Sequence, residues 1–145
     1  MIPEILATLA SGFFAGAALY VNFVEHPARL SCGLKLAVTE WRPSYKRATL
    51  MQAPLALVGS FLAFLSWWRE KDAAWLHGGV FLFAVIPFTY MVILPTNRQL
   101  ESDELDFSSG QAEHLLRLWG RLHAVRSALS SVAFATFLIA LRGHR

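Results

Sequence analysis

The chain has 145 residues, 55% of them hydrophobic, with a formal charge of +3 and a mean hydropathy of +0.43. That length holds one domain, and so apolar a composition points to an integral membrane protein rather than a soluble one. The basic residues are scattered among apolar runs and form no stripe, which argues against a nucleic-acid partner; the single cysteine, Cys32, excludes an intrachain disulfide and a Cys-x-x-Cys metal knuckle.

Four apolar segments are long enough to cross a bilayer, so the sequence predicts one all-α domain over 1–145, an up-down four-helix transmembrane bundle. Its helices are expected at about 3–26, 43–68, 74–97 and 110–141. The first begins without the positive region of a signal peptide and is expected to be retained. It carries Gly12 and Gly16, a Gly-xxx-Gly face at which a partner helix or a second copy could pack. Towards its end Asn22 and His26 share a stripe with Glu25 beside them, and Pro27 is expected to stop or bend the helix.

The stretch from Ala28 to Arg42 is amphipathic and reads as a short helix on the membrane surface, with Trp41 as an anchor. Pro43 suits the first position of the second span. Tyr45, Thr49 and Gln52 then fall on one face, and Pro54 is expected to bend the helix. Trp67 and Trp68 end the span as an aromatic belt, and Trp75 resumes it on the return. The third span closes through Tyr90, Pro95 and Asn97 into an acidic loop from Glu101 to Asp106, read as solvated surface. Ser108 and Gln111 offer a capping box for the fourth span. In it Trp119, His123 and Arg126 stand at i, i+4 and i+7, and the chain ends in the basic tail Arg142 to Arg145.

In an up-down bundle the end of the first span, the start of the second, the end of the third and the start of the fourth meet at one membrane face. Asn22, Glu25 and His26 therefore collect with Arg42, Tyr45 and Gln52, and with Asn97, Trp119, His123 and Arg126, while the opposite half stays apolar. An ionisable group facing lipid costs several kcal/mol, roughly 2.5–3.5 for arginine. These side chains are expected to face one another across a pocket that takes a lipophilic small molecule. Nine Lys and Arg from Arg29 through Arg126 lie at this face, against Arg69, Lys71, Arg142 and Arg145 at the other, which favours the polar face in the cytoplasm.

Four segments carry a family resemblance: Gly16 to Pro27; Trp41 to Ala48 with Gln52-Ala53-Pro54; Pro95-Thr96-Asn97-Arg98; and Trp119 to Arg126. In order and spacing they resemble the anthrone oxygenase family of small four-helix membrane proteins. The resemblance implies, for some members, oxidation of an anthrone to an anthraquinone. It marks Asn22, Glu25 and His26, then Trp41, Tyr45 and Gln52, then Asn97, Trp119, His123 and Arg126 as site residues.

The residue chemistry fits such a reaction. A neutral imidazole, His26 or His123, can remove the acidic C–H of an anthrone, and the enolate can then pass an electron to dioxygen with no other cofactor. Arg126 or Asn97 could hold the enolate oxygen, and Trp41, Tyr45 and Trp119 could stack on a flat substrate. Other readings stand beside this one. Arg126 could be the counter-ion of Glu25, and the histidines could be interhelical hydrogen-bond partners. His26, Glu25 and His123 could together ligate a transition metal. A non-catalytic carrier of a lipophilic molecule and a membrane scaffold are the alternatives to an oxygenase.

Overall fold

The computed structural model describes residues 1–107 and 110–143. Among the described residues four helices are each long and apolar enough to cross a membrane: α1 (Ile2–Ser31), α2 (Leu34–Glu70), α3 (Ala73–Glu101) and α4 (Gly110–Gly143). There are no strands among the described residues. Each helix packs against its sequence neighbours and α1 closes the ring against α4, so the bundle runs up-down-up-down. The capping box at Ser108 and the tail residues His144 and Arg145 fall outside the described residues.

Two of the three connections are two-residue turns. At Cys32-Gly33 the chain reverses through Gly33 at φ +89°, a conformation that needs no Cβ. At Lys71-Asp72, Lys71 adopts φ +60° and returns its N–H to the Trp67 carbonyl, while the Asp72 carboxylate accepts from the Ala74 N–H at 2.9 Å and caps α3.

The prolines do not end the helices. Ahead of Pro27 the backbone widens into a π-helical turn over Val21–Glu25, closed by the His26 N–H on the Val21 carbonyl. Ahead of Pro95 the same device spans Thr89–Ile93, closed by Leu94 on Thr89. A helical proline clashes with the carbonyl four residues before it, here Phe23 and Met91, the centres of the two wide turns. Each turn thus carries the helix past its proline, and α1 and α3 run on to Ser31 and Glu101. Pro43 likewise lies inside α2, which begins nine residues before it at Leu34, and no separate surface helix exists. The reason is burial: Ala37, Val38 and Trp41 lie fully inside, so continuing the helix removes them from water.

Trp41 and Trp75 are therefore core residues and not membrane-surface anchors. Trp75 stacks on Phe137 at 5.2 Å in the apolar half with Phe14, Leu82 and Val85. Trp41 joins Trp119, Ile93, Leu100 and Leu116 in the polar half. Gly12 packs inward too, since a Cβ there would lie 2.9 Å from the Phe134 ring, whereas Gly16 has open space beside it. The Gly-xxx-Gly pair does not present one free face.

At 37 residues α2 is about 55 Å long, well beyond the ~30 Å hydrocarbon core. Apart from Leu36, its exposed large apolar side chains run from Leu50 to Trp68 and mark the lipid level, so its first turns stand outside with Lys46 and Arg47 at the rim. Cys32, exposed in the turn at this end, reports orientation without added labels. With the basic end cytoplasmic, a membrane-impermeant maleimide is expected to label Cys32 only after cells are permeabilised; labelling of intact cells would reverse the orientation.

Candidate functional site

The wide turn of α1 aims Asn22 at α4. Its Nδ2 donates to the Gly120 carbonyl at 3.1 Å, which fixes the amide and leaves Oδ1 as an acceptor. Ser127 Oγ donates to Oδ1 at 2.5 Å, and His123 Nδ1 lies 2.8 Å from it. An amide oxygen only accepts, so Nδ1 carries the ring proton and Nε2 keeps its lone pair. Asn22, itself fixed by Gly120 and Ser127, thereby holds His123 in the tautomer of a base.

His123 lines a narrow neck of about 10 Å³ together with Trp119, Tyr45, Gln52 and Arg126, space for about one water molecule. Arg126, 8% exposed, donates through Nη2 to Gln52 Oε1 at 2.8 Å and stands 5.5 Å above the Phe14 ring. No carboxylate pairs with it among the described residues. Arg126 Nε and Gln52 Nε2 are buried donors without acceptors, so the neck carries an uncompensated positive charge and two open N–H groups. Such a place favours an oxygen bearing negative charge.

Larger spaces flank the neck on either side of α2. A groove of about 650 Å³ between α1 and α2 shares Val21, Ser44, Ala48 and Gln52 with it. A more enclosed pocket of about 210 Å³ between α2 and α3 shares Tyr45, Thr49 and Arg126.

The expected Glu25–Arg126 pair does not form. Glu25 is held by Arg29 and Ser44, and Arg29 Nε also meets Glu40 at 2.7 Å. Glu25 lines the α1–α2 groove as part of this ionic cluster. Arg29, buried and 5.8 Å over the Trp119 ring, is a residue that the sequence reading did not single out, although Glu25 and Arg29 stand at i, i+4. Ser127, one turn after His123, was missed in the same way.

The two imidazoles do not share the neck. Trp119 separates them, with its ring 5.2 Å from that of His26 and 4.9 Å from that of His123. Trp41 meets Trp119 edge-on at 5.7 Å and stacks on Tyr45 at 5.0 Å. His26 lies against the α4 backbone, where a Cβ on Gly120 would come within 2.6 Å of its Nε2. Gly120→Ala is accordingly expected to displace His26 and lower stability by about 1–3 kcal/mol, read as a fall in thermal midpoint in detergent. An unchanged midpoint would show that the ring swings aside freely.

The alternative ligand set of His26, Glu25 and His123 is not assembled, because the indole divides the histidines and Glu25 is engaged elsewhere. No three His, Cys, Asp or Glu among the described residues are placed to hold one metal ion. Asn97 is fully buried with both amide atoms unpartnered, but it does not line the neck. Arg42 serves the loop after α3, donating to the Leu100 and Ser102 carbonyls at 3.1 and 2.7 Å. His77 and His114 are exposed.

A family model described as anthrone oxygenase matches residues 41–136, most of the chain. The chain belongs to the anthrone oxygenase family. The residues matched to anthrone oxygenase contain Trp41, Tyr45, Gln52, Asn97, Trp119, His123 and Arg126. Asn22, Glu25 and His26 precede them, so within this anthrone oxygenase family member the pairing of Asn22 with His123 rests on the fold. No curated protein and no solved structure matches the chain.

Proposed function

We propose that this protein oxidises a lipophilic anthrone-type phenol with dioxygen, using His123 as the base. The observation that carries the reading is the Asn22 Oδ1 contact at His123 Nδ1, which leaves Nε2 as a basic nitrogen on a residue that lines the neck with Arg126 and Gln52, whose Nε and Nε2 lack acceptors.

His123 Nε2 takes a proton from the ring methylene opposite the carbonyl, and Arg126 with Gln52 donates to the enolate oxygen. The enolate gives one electron to dioxygen, and the carbon radical and superoxide combine into a C–O bond. The imidazolium returns its proton to form a hydroperoxide. Removal of the second C–H proton then breaks the O–O bond, leaving a ketone and releasing water. One anthrone and one dioxygen give one anthraquinone and one water, and the scheme requires no oxidant other than dioxygen.

A carrier is the second reading, favoured by the width of the α1–α2 groove. Oxygen uptake by the protein in lipid nanodiscs, with anthrone as substrate, separates the two. Catalysis predicts uptake well above that of empty nanodiscs with one dioxygen consumed per quinone. Saturable binding without added uptake would leave the carrier.

A further inference from the structure

We infer that the pocket between α2 and α3 is a lateral binding site, filled from the bilayer by a flat fused-ring phenol whose ionised oxygen is directed to Arg126. The identity of the rings rests on the reading above. Small Ala53 and Ala56 on α2 face Val85 and Ile86 on α3, and the missing side-chain volume is the pocket. Thr89 and Tyr90, at the start of the wide turn, form its wall. Among the described residues the only charged lining group is Arg126, more than nine-tenths buried and with Nε lacking an acceptor.

The surroundings of the mouth choose the route. Tyr90 at the pocket wall and Leu50 and Leu57, on the same stretch of α2, are exposed apolar side chains at the level of lipid chains, so a ligand dissolved in the bilayer arrives without crossing water. The size chooses the shape: about 210 Å³ is below the ~300 Å³ at which pockets for drug-sized molecules begin, which suits a compact ring system. Phe14, Tyr45 and Tyr90 offer ring faces that reward an aromatic ligand over an aliphatic chain. The α1–α2 groove is larger but carries Glu25, Glu40 and Arg47, a poorer setting for an apolar ring.

The test uses the full chain in phosphatidylcholine nanodiscs and the coloured phenol 1,8-dihydroxyanthraquinone, with bound and free probe separated by ultracentrifugation. Saturable binding is expected, weakened roughly tenfold or more by Ala53→Trp, which fills the pocket, and less than about twofold by Met51→Trp in the other groove. If Ala53→Trp does not assemble, Tyr90→Ser at the exposed wall is expected to weaken binding about threefold or more. Oleate is expected to displace the probe poorly. No binding to the wild type, loss through Met51→Trp alone, or displacement by oleate at equal concentration would each overturn the site. Binding without oxidation would remove the proposed reaction and leave this site; oxidation unaffected by Ala53→Trp would do the reverse.

Discussion

His123→Ala is expected to lower anthrone turnover by about 10²–10⁴-fold, the range lost with a general base. The imidazole is 3% exposed and held by Asn22 from α1, whose Oδ1 also accepts from Ser127 one turn along α4. Its Nε2 is therefore positioned before substrate arrives, and its removal takes away both the proton acceptor and its placement. Asn22→Leu keeps the base but frees its tautomer and ring angle, so a smaller fall is expected. The interhelical bonds at stake are worth only about 0.6 kcal/mol each in a membrane, so the bundle should survive both changes. Retained binding of 1,8-dihydroxyanthraquinone checks that it has. Added imidazole, small enough to enter the space left by His123→Ala, is expected to restore part of the rate. Turnover by His123→Ala equal to wild type would remove the base from the mechanism.

His26 supplies the contrast. It lies on the far side of the Trp119 ring and is absent from the neck, so His26→Ala is expected to act on packing more than on turnover. The sequence places both histidines on inward stripes, and both do face the bundle interior. What spacing cannot tell is that an indole stands between them, because helical periodicity assigns a face and leaves the direction of the ring open.

The same boundary between legible and illegible runs through the fold. Four spans could be read from apolar length, and the gathering of polar residues at one end followed from alternating helix direction. The helix bounds expected near Pro27 and Pro95 fail because the proline rules describe an α-helix with no means of relief, whereas the start expected at Pro43 fails because burial of Ala37, Val38 and Trp41 extends α2 back to Leu34. At Pro27 and Pro95 the helix is relieved locally. The wide turns at Val21–Glu25 and Thr89–Ile93 supply that relief, and they are a property of the backbone, invisible in residue type. Trp41 and Trp75 were misplaced for a related reason: tryptophan favours interfaces on average, but these two lie where neighbouring helices close over them. For Glu25 the local signal was present, since Arg29 is one turn away, and the distant partner Arg126 was the weaker candidate.

Arg126 gives the second large effect and separates function from structure. A buried guanidinium without a carboxylate partner is costly to fold, because Gln52 and the Phe14 face replace only part of its hydration. Were it structural, its removal should destabilise the bundle. If instead it is kept to receive an anionic oxygen, Arg126→Met should leave the thermal midpoint unchanged or higher, since an apolar side chain of similar length suits that place better. Turnover should fall about 10²–10³-fold, the loss seen when one donor to a developing oxyanion is removed. Arg126→Lys retains the charge without the planar fork and is expected to lie between the two. Opposite movement of stability and activity is thus the expected signature, measured as thermal midpoint and oxygen uptake on the same nanodisc samples. A fall of both together would return Arg126 to the scaffold and leave Gln52 to donate to the oxyanion without it.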